Sequence, residues 1–265
     1  MAGSELTLPK DNLLIDAALH AGRIAMKYFN SSDNSIWYKN GNSPVSQADK
    51  EVDDYLRNHL LSAYPDHGWL SEETEDQTSR LNRDRLFIVD PIDGTRGFIN
   101  GQKEWCISIA IVEGDRPIEA VLHSPPSGRI LYASRSAGTF LSETGDRISH
   151  NTKPLVTGSK KLIETLNELP DRPFDVHPFL PSLAYRLAMV ATGELDGAFA
   201  RRGASEWDIA AADLILEESG CRLTSKSGAA IRYNQRKVTV PALVAASNAQ
   251  HGKILTLANS TGILH

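Results

Sequence analysis

Cysteine is scarce in this chain: two residues in 265, Cys106 inside an apolar run and Cys221 at the start of another, and neither has metal-ligand spacing. A disulfide framework or thiolate metal site is therefore not indicated, and two buried thiols in a reduced cytoplasmic protein are the expectation. Lysine and arginine are scattered without a basic tract and the net charge is −5, so charge does not point to a nucleic-acid polymer as partner. No run of about 18 apolar residues occurs. The first residues, MAGSELTLPKDN, lack a basic segment followed by an apolar one. The expectation is a soluble protein, neither exported nor membrane-spanning. Repeats, low-complexity tracts and long linkers are also missing.

What is present is ordinary globular material, 41% hydrophobic and 23% charged, long enough for one large or two closely packed domains. Leu14, Ala18, Ala21, Ala25 and Phe29 recur at helical spacing and predict a helix over roughly 11–29, after Asp11 or Asn12. The polar stretch 30–44 reads as a mobile loop with a short hairpin around Trp37. A second helix is predicted from Ser46, with Val52, Leu56, Leu60 and Ala63 inward, ending before Pro65. Strand-like runs at 105–112, 117–123 and 129–134 are joined by short turns, which favour antiparallel pairing. A helix at 182–193, another through EWDIAAADLILEESG (206–220), a strand at 242–247 and a terminal helix from Asn248 complete the pattern. The fold class expected is α+β, layered helices and largely antiparallel sheets. A division near residue 150, in HNTKPL, separates a part (1–150) rich in candidate acids from a part (151–265) that supplies Asp208.

The most informative stretch is LFIVDPIDGTRGF, 86–98. Leu86 to Val89 read as a buried strand, and Pro91, which cannot donate to a ladder, is predicted to take the chain out of the sheet just after Asp90. Asp93-Gly94-Thr95 reads as a turn opening a helix, whose outward N–H groups suit phosphate. Asp49, Glu72 with Glu73, and Asp208 are further carboxylates in other segments. Oxygen ligands without histidine or cysteine suit Mg²⁺ or Mn²⁺ rather than Zn²⁺. Taken singly, Ser46-x-x-Asp49 is also a helix capping box, Glu72-Glu73 a solvated acidic loop and Asp208 a first-turn acid.

Together, Asp49, the pair in WLSEE, DPIDGT at 90–95 and EWDIAAADLILEESG resemble the inositol monophosphatase family in order and spacing, over nearly the whole chain. The resemblance implies an α-β-α-β-α sandwich and magnesium-dependent, lithium-sensitive hydrolysis of phosphate monoesters. It implies that Glu72, Asp90 and the carbonyl of Ile92 hold one Mg²⁺, that Asp90, Asp93 and Asp208 hold a second, and that a third, weaker ion lies near Glu72. Thr95 with Asp49 would orient and deprotonate the attacking water, while Gly94 and Thr95 supply N–H groups to the phosphate. Lys39 matches a family loop lysine near the metals; a solvated loop charge would look the same. Family habit also implies a homodimer.

Substrate choice rests on two departures. After DGT the chain continues Arg96-Gly97-Phe98-Ile99, resembling the nucleotidase branch of the family. Seven residues before Asp208, where inositol phosphatases typically place a glutamate for the inositol hydroxyls, stands Arg201. Arg201 or Arg202 could bind a second phosphate bidentately, or both could be surface arginines. The reading favours a 3'(2'),5'-bisphosphate nucleotide of the 3'-phosphoadenosine 5'-phosphate type over inositol 1-phosphate. A regulatory member of the fold acting through protein or RNA contacts is a further alternative.

Overall fold

The computed structural model describes residues 9, 12–39, 43–141 and 153–264. Helix α1 spans Leu13–Tyr28. Asn12 caps it by accepting a hydrogen bond from the N–H of Ile15 at 3.1 Å, while Asp11, the other candidate for its start, lies outside the described residues. The stripe Leu14, Ala18, Ala21 and Ala25 is buried as its spacing predicts. Strands β1 (Ile36–Lys39) and β2 (Ser43–Ser46) pair antiparallel, so the hairpin around Trp37 forms. Helix α2 (Gln47–Ala63) follows directly and buries Val52, Leu56 and Leu60.

Six strands form the first sheet in chain order: β3 (Gly68–Ser71), β4 (Arg85–Asp93), β5 (Cys106–Glu113), β6 (Arg116–Ser124), β7 (Arg129–Ser134) and β8 (Gly138–Leu141). Only the β3–β4 pairing is parallel in this sheet; the rest are antiparallel, as the short turns require. The second sheet is mixed, comprising β9 (Leu155–Thr157), β10 (Asp175–Val176), β11 (Gly197–Ala200), β12 (Cys221–Ser225) and β13 (Leu243–Ser247) in the order β10-β9-β11-β13-β12. Its first two pairings are parallel and its last two antiparallel. The remaining helices are α3 (Thr95–Ile99), α4 (Lys160–Glu168), α5 (Leu183–Ala191), α6 (Ala210–Glu218) and α7 (His251–Ser260).

Packing orders these elements as α1 and α2, the six-stranded sheet, α5 and α6, the five-stranded sheet, then α4 and α7. Strand β4 shows why. Leu86 and Ile88 join the core shared with α5 and α6, whereas Phe87 and Val89 join the core under α1 and α2. A strand covered on both faces must be apolar throughout, which is why LFIV reads as an unbroken run. The chain passes from the first sheet to the second across residues 142–152, which lie outside those described, and the expected division near residue 150 lies among them. Among the described residues no helix is long and apolar enough to cross a membrane.

Two expectations need correction. Strand β4 does not end at Asp90 but continues to Asp93, pairing Asp90 with Ser108 and Asp93 with Cys106 across a register irregularity. Pro91 sits in that irregularity, where a residue without an N–H is tolerated within a sheet. Helix α6 begins at Ala210 rather than at the WD dipeptide, because Glu206–Asp208 forms a separate 3₁₀ turn.

Phe87, fully buried beneath α1 and α2, provides a stability test. Replacing it by alanine should destabilise the fold by about 3–5 kcal/mol, seen as a lower denaturant midpoint.

Candidate metal centre and active site

The site lies where the end of β4 meets the start of α5 and the 3₁₀ turn before α6. Asp90 is buried, and the N–H of Ile92 donates to its Oδ1 at 3.1 Å. Asp208 is reached from the other part of the chain. Its Oδ2 accepts from the N–H of Ser205 at 2.7 Å, so a Ser-x-x-Asp turn aims it. Glu72 follows the last residue of β3. One carboxylate oxygen each from Glu72, Asp90 and Asp208 lies within 4.8 Å of the others.

Such crowding of like charges shows in their titration. Burial, then Glu72, Asp93, Asp208 and Asp49, raise Asp90 well above the ordinary carboxylate range. Burial followed by Asp93 does the same to Asp208. An all-oxygen, acidic and partly buried cluster fits a hard divalent cation such as Mg²⁺, and the donor set contains no soft ligand.

Asp93 lies beside this trio, with one oxygen committed elsewhere. Its Oδ2 accepts from Ser182 Oγ at 2.6 Å and from the N–H of Ala184, at the N-terminus of α5. Burial still pushes its carboxyl up to about 6. Asp49 divides its two oxygens in the same manner. Oδ2 accepts from the N–H and hydroxyl of Ser46 at 2.8 and 2.6 Å, and Oδ1 accepts from Thr95 Oγ1 at 3.1 Å. The capping box and the pairing with Thr95 therefore coexist in one carboxylate. Burial lifts Asp49 to about 6. The hydroxyl of Thr95 also lies 3.1 Å from the carbonyl of Ile92.

Gly94 has φ +100°, a left-handed conformation, and a Cβ there would come within 3.1 Å of Ser182. Both observations explain glycine at this position. Lys39 reaches from β1 to the acidic turn. Its Nζ donates to Glu73 Oε1 at 2.7 Å and to the carbonyl of Glu72 at 3.1 Å, and lies 3.4 Å from Glu72 Oε1. Burial pulls its pKa down, but Glu72 and Glu73 together outweigh that and leave it raised. The pair Glu72-Glu73 is thus not a simply solvated loop.

Arg201 follows β11 and is half-buried, with Nη2 3.4 Å from Thr165 Oγ1 and Nε buried without a partner. Arg202 is exposed. Sequence reasoning passed over Arg186 on α5. Its side chain is buried, Nε donates to the carbonyl of Ser182 at 3.0 Å, and Nη1 is buried without a partner. Burial lowers its pKa to about 10 against the opposing pull of Asp93 and Asp208. A lone arginine in the apolar run LAYRLAMV was the available signal. Ser182, the N-cap of α5, was legible by the same rule that found Ser46.

The sequence profile described as the inositol monophosphatase family matches residues 9–261. The Nus factor SuhB of Xylella fastidiosa is 30% identical over 234 residues, 83% of each chain. The histidinol-phosphatase of Chlorobaculum parvum is also 30% identical, covering 96% of this chain and 98% of its own. Among solved structures, the IMPase of Thermotoga maritima superposes with a TM-score of 0.80 at 26% identity, covering 94% of this chain and 96% of that one.

The raised carboxylates imply a pH signature. Asp49 at about 6 and Glu73 at about 7 titrate above their ordinary values of 3.8 and 4.5, so the folded state holds more protons than the unfolded one between those limits. Their contribution to the stability of the metal-free protein must therefore fall as pH rises through roughly 4–7. Calorimetry should show Tm declining from about pH 5 to about pH 8 without metal, and Mg²⁺ raising Tm more at the higher pH. A metal-free Tm that climbs across that range would contradict the crowded-acid reading.

Proposed function

Because this chain belongs to the inositol monophosphatase family, we propose that it is a magnesium-dependent phosphatase acting on a 3'(2'),5'-bisphosphate nucleotide of the 3'-phosphoadenosine 5'-phosphate type. Hydrolysis of a phosphate monoester is the family's chemistry, and the chain is a phosphoric monoester hydrolase. The observation that carries the metal assignment is the trio Glu72, Asp90 and Asp208 within 4.8 Å, beside the Thr95–Asp49 pair. Magnesium, two or three ions when bound, would polarise the phosphate and lower the pKa of water, with Li⁺ competing for one position.

The chain's own residues do the rest. Thr95 Oγ1 donates to Asp49, which leaves its oxygen lone pairs free to take a proton from water as its own proton passes to Oδ1. With a pKa of about 6, Asp49 is a stronger base than an ordinary carboxylate and is still ionised at neutral pH. Gly94 lets the backbone approach a phosphate oxygen, and the N–H groups of Gly94 and Thr95 would donate to it. Asp93, held by α5 through one oxygen, would hold a second ion together with Asp90 and Asp208.

Support for a second phosphate comes from Arg201. It is half-buried, and its Nε is buried without a partner, a donor that an anion could take up. Arg186, buried on α5 and drawn to Asp93 and Asp208, adds positive charge beside the carboxylates, while Arg202 is exposed. Inositol 1-phosphate would use the same metal and water groups but has no second anion for Arg201. The relative named histidinol-phosphatase makes histidinol phosphate a third substrate to compare.

The test is phosphate release by the purified protein with Mg²⁺ from the three substrates side by side, with and without Li⁺. The nucleotide should be preferred, and Arg201→Glu should reduce its turnover far more than that of inositol 1-phosphate; equal losses on both would count against the bisphosphate assignment. Asp208→Asn should lower turnover on every substrate by at least the roughly 10–100-fold that loss of a mere outer-sphere partner costs. Near-normal turnover in that variant would reject the metal assignment. If the parent hydrolyses none of the three, a regulatory role of the kind suggested by the Nus factor relative takes precedence.

A further inference from the structure

Arg80 is 2% exposed, in the 3₁₀ turn Thr78–Asn82. A buried guanidinium must find acceptors, and this one finds them in two directions. Nε and Nη2 donate to the two carboxylate oxygens of Asp76 at 2.6 and 2.9 Å. Nη1 donates to Asn234 Oδ1 at 2.7 Å, and Nη2 also donates to the carbonyl of Gln235 at 2.9 Å. Asp76 ends the loop that begins with Glu72 and Glu73. Asn234 and Gln235 belong to the other part of the chain.

From there the chain of contacts runs on to the second metal-facing turn. The N–H groups of Asn234 and Gln235 donate to Glu206 Oε2 and Oε1 at 2.7 and 2.9 Å. Asn234 has φ +58°, a conformation that lets successive N–H groups converge on one anion. Glu206 is 1% exposed and shares its 3₁₀ turn with Asp208. Arg80 thus ties the loop behind Glu72 to the loop that seats the turn carrying Asp208.

We propose that Arg80 is a positioning residue that sets the separation of Glu72 and Asp208. The proposal rests on reading the carboxylate trio as a divalent-cation site. Asp90 is held within a strand paired on both sides, whereas Glu72 follows an edge strand and Asp208 sits on a three-residue turn. These two repelling carboxylates need an external brace. One end of the acidic loop already has its own, since Ser71 Oγ and Thr74 Oγ1 both donate to the buried carboxylate of Asp53. Arg80 braces the other end. Stability alone does not account for it, because a buried ion pair gains little over well-packed apolar groups, whereas fixing the geometry of two distant loops requires a forked cation.

The experiment uses the full chain with Arg80→Lys and Asn234→Gly. Lysine keeps the charge but not the fork, and glycine removes the Oδ1 acceptor while suiting the left-handed backbone and keeping the N–H to Glu206. Mg²⁺ affinity is measured calorimetrically on folded protein, and amide exchange is followed in metal-free protein over residues 72–76 and 205–208. Affinity should fall about tenfold in Arg80→Lys and less in Asn234→Gly, with faster exchange in both segments. Affinity within about twofold of the parent's and unchanged exchange would overturn the proposal, even if Tm falls. If Arg80→Lys does not fold, Asn234→Gly decides. A parent that binds no Mg²⁺ would sink the metal reading instead, and exchange in the metal-free variants would still decide whether Arg80 braces the two loops.

Discussion

Like charges resist being gathered, and the carboxylates of Glu72, Asp90 and Asp208, with oxygens within 4.8 Å of one another, are the constraint around which this molecule is organised. Burial first, and then Coulomb repulsion at such distances, raises Asp90 and Asp208 well above the usual range. Each buried acid of the site is held by donors close to it in the fold. Asp90 receives the N–H of Ile92, Asp208 that of Ser205, Asp49 the N–H and hydroxyl of Ser46, and Asp93 the hydroxyl of Ser182 with the N–H of Ala184. In each case the donors take one oxygen, leaving the other for the site.

That arrangement makes the layers functional. The six-stranded sheet presents Asp90 and Asp93 at the end of β4, α5 places its N-terminus against Asp93, and the turn leading into α6 delivers Asp208 between the two sheets. The helical layer shared by both sheets is therefore also the layer that completes the site.

The local motifs were highly legible. Continuous burial along LFIV, the helix start at Ser46 and the antiparallel run from β5 to β7 follow from residue-level preferences, and the structure has each of them. The boundaries that failed did so for identifiable reasons. A proline usually ends a ladder, yet a register irregularity between Asp90 and Asp93 accommodates Pro91. The WD dipeptide continues the apolar spacing of α6 but forms its own 3₁₀ turn, because over three residues 3₁₀ and α turns place side chains alike. The five-stranded sheet was only partly visible, since β9, β10 and β11 are short and pair over long separations that no local pattern records.

The candidate acids could be named from residue type and spacing, because hard-cation chemistry demands oxygen donors and DPIDGT concentrates them. The resemblance to a known family supplied roles that residue type and spacing alone do not. That one Asp49 both caps α2 and receives Thr95, and that Arg80 and Arg186 are buried and Arg201 half-buried, with specific partners or missing ones, were decided only in three dimensions. The physical reason is range. Turn chemistry and strand burial act over a few residues and are written in the chain, whereas desolvation and charge–charge coupling depend on groups such as Arg80 and Asn234, 154 positions apart, being brought into contact.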